Sequence, residues 1–156
     1  MKINSILFLL LLSVVKTFGQ NQYKTELSKL FSESIQKENP SGKYIHPWRI
    51  NNDENQYYNS DTIIVFQFKT RSYRMDICET IEWNFSAENE LVLTRNHLCE
   101  EPPTRDISIP TDSLKLKLNE NKIELNHNGK LIDEFELLEI NKNETKTELI
   151  LKRIKK

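Results

Sequence analysis

Glycine is nearly missing from this chain: Gly19, Gly42 and Gly129 are all that its 156 residues contain. A loop that cradles phosphate groups needs several glycines in a short space, so nucleotide-binding loops are excluded. Cysteine is as scarce. Cys78 and Cys99 stand alone, with no CxxC pair and no HxxxH spacing, which leaves zinc-ribbon and helical metalloprotease chemistry without ligands. His46, His97 and His127 are scattered over different segments, and there is no G-x-S-x-G turn. Carboxylate neighbours such as Glu79/Glu82 and Glu100/Glu101 are what a chain with 23 acidic residues produces by chance. The chain therefore reads as non-enzymatic, with no catalytic residue, cofactor or metal.

Dominance of one charge is lacking too. Lys and Arg number 22 against 23 Asp and Glu, and the signs are interspersed; only Lys152, Arg153, Lys155 and Lys156 form a basic end. Nucleic-acid binding needs a broad basic face, so that partner class is excluded. Long apolar runs are confined to the N-terminus. There, MKINSILFLLLLSVVKTFGQ sets Lys2 before an unbroken apolar stretch from Ile6 to Val15, then small and polar residues around Gly19. This is the layout of a secretory signal peptide, and its apolar run is well short of the roughly 20 residues that span a bilayer. No cysteine lies near Gly19 or Gln20 to carry a lipid. The expectation is a signal peptide over 1–20, a secreted or periplasmic mature chain that is not a lipoprotein, and no integral membrane segment after cleavage. Taking Lys2 and Lys16 from the 22 basic residues leaves 20 against 23 acidic ones, a net charge near −3. What remains is enough for one domain with a core of its own.

In an oxidising compartment an even pair of cysteines becomes a disulfide. Cys78–Cys99 would close a loop worth on the order of 3 kcal/mol by chain entropy. The competing reading joins both sulfurs to His97 around a metal, but three such ligands are too few for a structural zinc site.

Two periods organise the mature chain. Over Tyr23–Lys37, Tyr23, Leu27, Leu30, Phe31, Ser34 and Ile35 fall on one helical stripe, and Asn39-Pro40-Ser41-Gly42 ends it. The expectation is an amphipathic helix and linker over 21–42, packed on its own domain. From 43 to 156 the period is two. Strands are expected at Tyr44–Ile50, Thr62–Lys69 and Tyr73–Phe85, the last broken near Cys78-Glu79-Thr80. More follow at Leu91/Leu93, Ile107/Ile109, Leu114–Leu118, Ile123/Leu125, Leu131–Leu137 and Thr147–Ile154. Asn128-Gly129 is the strongest short hairpin signal. These strands leave no room for crossover helices, so the sheet is antiparallel. The expected fold is all-β with one N-terminal helix: an up-and-down meander of about 8–10 strands closed into a barrel, which abolishes sheet edges. A two-sheet sandwich satisfies the same periodicity.

The pattern resembles the lipocalin-like domain family of small secreted Gram-negative bacterial proteins, a calycin-type barrel. The matching stretches are the exported N-terminus, Trp48 in HPWRI, IIVFQFK, the Cys before IEWNF, ELVL, and the hairpin SLKLKLNENKIEL. The chain differs from typical lipocalins in having no Gly-x-Trp opening, no threonine-aspartate-tyrosine turn and no lipobox cysteine. The resemblance implies that Trp48 on the first strand is covered by a basic residue near the C-terminus. Arg153 shares a face with Leu149 and Leu151 and is that candidate, with Lys152 the choice if the register slips; the other reading puts Arg153 in a frayed tail.

If Phe66, Phe68, Tyr73, Met75, Trp83 and Phe85 point inward, with Arg95 and His97 as polar handles, they line a pocket for a small hydrophobic ligand. The alternative is a filled core and a packed barrel that engages an envelope or extracellular protein through its loops, Asn51–Asp61 with Tyr57 and Tyr58, and Glu100–Arg105.

Overall fold

The structure is a computed structural model that describes residues 22–35, 47–69, 77–107 and 113–155. Within them a helix over 22–33 (α1) precedes β1 (Trp48–Asn51), a 3-10 turn (Asp53–Asn55), a one-turn helix α2 (Gln56–Asn59) and β2 (Thr62–Phe68). Then come β3 (Glu79–Ala87), β4 (Glu90–His97), β5 (Thr104–Ile107), β6 (Leu114–Asn119), β7 (Lys122–His127), β8 (Lys130–Lys142) and β9 (Lys146–Lys155). The strands pair in the order β1-β2-β9-β8-β7-β6-β4-β3, and β3 pairs with β1 again, so eight of them close a barrel. All pairings are antiparallel, and β5 lies along the far end of β4 beyond its short contact with β6. The closed antiparallel barrel expected from the two-residue period is thus present and is consistent with a calycin-type barrel; the sandwich is not the arrangement found.

One step departs from the simple meander. β1 sits between β2 and β3 and is antiparallel to both, so β2 and β3 run the same way. Elsewhere hairpin chemistry sets the path. Asn128 and Gly129 both have positive φ, the mirror-image turn that matches strand twist, and they join β7 to β8. Glu120 takes the same left-handed conformation between β6 and β7. β1 begins at Trp48, and the start of the strand read from Tyr44 falls outside the described residues. Residues 36–46 and 70–76 lie outside the described residues, and with them Tyr73 and Met75.

The barrel interior is filled by side chains. Trp48, Trp83, Phe135, Ile50, Ile81, Leu91, Leu114, Ile123, Leu125, Leu149 and Leu151 are all buried below 2 % exposure and belong to one apolar cluster. α1 closes one mouth with Leu27, Leu30 and Phe31, the stripe its sequence spacing predicts. Phe31 stacks on Phe85 (4.7 Å between centroids) and meets Trp48 edge-on at 5.7 Å. The one polar residue of that stripe, Ser34, is buried and fully used. Its hydroxyl donates to the Leu30 carbonyl and accepts from the Trp48 indole (2.8 Å) and the Gln67 amide (2.9 Å), tying the helix end to β1 and β2. The crevice left between α1 and β3 and β6 holds about 10 Å³, at the limit of a single water.

Two inward placements expected from the sequence are corrected here. β2 is apolar on both faces. Ile63 and Val65 belong to the core cluster, whereas Phe66 pairs across the ladder with Arg49 and Glu148 and lies on the other parity with Phe68, their rings 5.4 Å apart; Phe66 is buried there, at 9 % exposure, but outside that cluster. Strand alternation permits only one parity inside, and the aliphatic residues hold it.

Candidate functional site

The end of the barrel opposite α1 carries the polar groups. α2 fills it. Asn52, fully buried, follows β1 and accepts from the Tyr57 N–H, so the chain turns inward and drives the Tyr57 ring into the core at 2 % exposure. Glu54 and Asn55 adopt successive left-handed conformations to make this turn (φ 57° and 60°). For Glu54, a non-glycine residue, that costs about 1–2 kcal/mol, which the surrounding contacts must offset.

Those contacts are specific. Asp133 lies on the inward parity of β8 with Phe135 and Leu137. Its carboxylate pairs with the Arg153 guanidinium at 3.1 Å, both side chains below 10 % exposure. Arg153 also donates to the carbonyls of Tyr57 (2.7 Å) and Tyr58 (3.3 Å), and lies 5.1 Å from the centroids of the Tyr57 and Phe135 rings. The Tyr57 hydroxyl donates to Asp133 Oδ2 at 3.4 Å, a long bond. The buried Trp83 indole N–H has no hydrogen-bond partner among the described residues. Burial, then the Asp133 charge, pushes the Tyr57 phenol far above its ordinary value, so it stays neutral.

Beside this nest, at the rim, Glu79 organises a second cluster. Its carboxylate accepts from Arg95 Nη2 (2.7 Å) and from the Asn52 amide, and His97 Nδ1 stands 3.4 Å away. Asp53 Oδ1 accepts from the backbone N–H groups of Cys78 (3.1 Å) and Glu79 (2.8 Å), pinning the 3-10 turn to the start of β3. Cys78 and Cys99 form the disulfide expected from their pairing, across the open end of the β3–β4 hairpin, where Leu98 N–H also reaches the Cys78 carbonyl. Asp53, Glu54, Cys78, Glu79, His97, Cys99 and Glu100 line an open depression of about 460 Å³.

Two predictions arise from this rim. Reducing Cys78–Cys99 should leave the hairpin paired through the β3–β4 ladder and lower stability by about 3 kcal/mol, the entropy of its sequence separation of 21 residues. Denaturant midpoints with and without reductant measure it, and coincident curves refute it. For Glu79, burial raises the carboxyl pKa, but the hydrogen bonds from Arg95 and Asn52 and the charges of Arg95 and His97 outweigh that and hold it below its ordinary 4.5. A depressed carboxylate stabilises the fold above its unfolded value, and that contribution is lost as pH falls through the folded one. Glu79→Gln should therefore flatten the loss of stability below pH 4.5, read from unfolding midpoints along an acid series. An unchanged slope would remove the assignment.

The residues expected to line a pocket are therefore divided. Trp83 and Phe85 are inside and packed, Phe66 (buried) and Phe68 (half-buried) sit on the opposite parity of β2 away from the core cluster, and Arg95 and His97 keep the inward parity but end at the rim on Glu79. Trp48 and Arg153, expected to meet, have different partners. The β1–β2 register sets Trp48 level with Gln67, which pairs with Thr147, and Arg153 is six residues further along β9, about 20 Å at strand rise. Ser34 and Phe31 cover Trp48 instead, and Arg153 covers Tyr57. Sequence reasoning missed Asp133 and Glu79, though Asp133 on the apolar parity of β8 was a visible signal. Among the described residues no group of three or more His, Cys, Asp or Glu is placed to hold a metal, and no helix is long and apolar enough to cross a membrane. Set against protein-family models, curated proteins and solved structures, the chain matches none of them.

Proposed function

We propose that this protein is an exported, disulfide-pinned β-barrel of lipocalin-like type that works as a non-catalytic interaction module, engaging an envelope or extracellular protein through the rim around Glu79 and α2. The filled interior carries this reading. With Trp48, Trp83 and Phe135 at the centre, α1 over one mouth and Tyr57 in the other, the barrel is a rigid scaffold rather than a container. Its exposed chemistry sits on the loops: Leu98 is 44 % exposed between His97 and Cys99, which line the rim depression together with the polar Asp53, Glu54, Glu79 and Glu100. An apolar centre with a polar rim is the anatomy of a protein-binding patch. The two cysteines and the signal-like leader support export to an oxidising compartment.

The carrier of a small hydrophobic ligand is the competing function, and one experiment separates them. Protein purified from its own compartment is examined by native mass spectrometry after mild cross-linking, with Leu98→Glu as the rim variant and Ile64→Glu as an outer-face control. A protein adduct lost in Leu98→Glu and kept in Ile64→Glu is expected. A small molecule retained in one-to-one ratio with no protein adduct overturns the reading in favour of a carrier.

A further inference from the structure

We propose that the outer wall of the barrel over β2, β9 and β8 is a self-association surface, on which a second copy of this chain docks about a two-fold axis. The proposal concerns a different face from the rim around Glu79 and does not depend on the partner reading. It starts from where exposed apolar side chains collect. Of the five large apolar side chains exposed among the described residues, Ile64, Leu138 and Ile154 stand on this one wall. Ile64 and Leu138 are 50 % and 47 % exposed. The register joins them: Ile64 faces Ile150 across the β2–β9 ladder, and Ile150 faces Glu139 across β9–β8. The β8 register shifts between Leu137 and Glu139, so Leu138 and Glu139 are both exposed where an unbroken strand would present one of them. Ile154 lies beyond Ile150 on the same outward parity of β9. A contiguous apolar patch of this kind on an outer wall marks a docking surface.

No free strand edge is on offer here. β2, β9 and β8 are each paired on both sides, so a partner must dock through side chains. The charges on the wall say which partner. Lys146 pairs with Glu148, and Glu136 accepts from the Asn121 amide. Lys152 and Glu139 are exposed and have no ion pair or hydrogen bond among the described residues. These two unpaired charges are of opposite sign and flank Ile150, Lys152 two residues along β9 and Glu139 across the ladder. A different protein would need a matching pattern of its own, whereas a second copy already carries it. A two-fold axis in the interface, passing between Lys152 and Glu139, sets each Lys152 against the partner's Glu139 and each Glu139 against the partner's Lys152. Ile64, Ile150 and Leu138 of both copies then pack between the two ion pairs, an apolar centre with a polar border. With so few apolar side chains at its centre, the interface belongs to the small, reversible class.

The test is sedimentation equilibrium of the mature chain over a wide concentration range, with circular dichroism to establish that each variant is folded. Wild type is expected to pass reversibly from monomer to dimer. Ile64→Glu should stay monomeric, whereas Leu98→Glu, at the rim, should dimerise like wild type. Leu138→Glu, on the bulge, carries the first arm if Ile64→Glu is not folded. Lys152→Glu and Glu139→Lys should each weaken self-association about tenfold or more, because like charges then meet twice across the axis. Mixing these two variants in equal amounts should restore it as a heterodimer, since both contacts across the axis again join one acid to one base. A wild type that is monomeric at every concentration overturns the proposal. So does a mixture that associates no more tightly than its separate variants. Dimerisation lost in Leu98→Glu and kept in Ile64→Glu overturns it as well, and would assign the contact to the rim.

Discussion

Replacing Arg153 by alanine is expected to destabilise the protein by about 3–5 kcal/mol, measured by denaturant unfolding at neutral pH. Arg153 and Asp133 are a buried pair, with side chains 8 % and 7 % exposed. Removing the cation takes the Arg153 charge from a desolvated carboxylate, and the cost of that buried charge, more than the loss of attraction, sets the size of the effect. The same change frees the carbonyls of Tyr57 and Tyr58 and uncovers the Tyr57 and Phe135 rings. The pair need not be stabilising relative to an apolar one. Arg153→Met combined with Asp133→Leu should recover most of the loss, since two apolar groups of similar volume need no compensation. An Arg153→Ala cost below about 1 kcal/mol, the range of a surface pair, would show that Asp133 is solvated and the nest at this mouth is not formed.

Arg153 also shows how far sequence reached. Its parity with Leu149 and Leu151 correctly put it on the inward face of the last strand. Its partner could not be read, because parity fixes the face and says nothing of height along the barrel. Height depends on register across several strands, and the short β1, slotted between β2 and β3, sets Trp48 level with Thr147 rather than with Arg153. The closed antiparallel barrel, the Cys78–Cys99 bond and the helix stripe through Leu27, Leu30 and Phe31 were legible because each rests on local spacing or simple pairing. The Tyr57 plug was not. It depends on Asn52 catching the Tyr57 N–H five residues on, and on Asp53 catching the Cys78 and Glu79 N–H groups 25 and 26 residues away, contacts that periodicity cannot register. Asp133 was overlooked for another reason: its parity with Phe135 and Leu137 points it inward, but an acid there has a role only once its partner Arg153 is known.

The strongest ambiguity was β2, whose IIVFQF is apolar at both parities, and there the expected results are most sharply opposed. Val65 is fully buried beside Leu149 in the core, while its neighbour Ile64 is half exposed on the outer face. Val65→Arg places an unpaired guanidinium, larger than the side chain it replaces, among close-packed aliphatic groups. The burial of the charge alone costs several kcal/mol, overpacking adds about 1–3, and together they rival the roughly 5–15 kcal/mol that holds a domain folded. The variant should be unfolded or molten at room temperature, with Trp48 and Trp83 fluorescence shifted to that of solvated indole. Ile64→Arg, one residue away, should stay within about 0.5 kcal/mol of wild type, because its side chain already meets water. The two chains are to be compared by circular dichroism and urea unfolding under identical conditions. If Ile64→Arg were the variant that unfolds and Val65→Arg the one that is tolerated, β2 would be turned over, Phe66 and Phe68 would face the interior, and the barrel would have the aromatic lining that a ligand carrier needs.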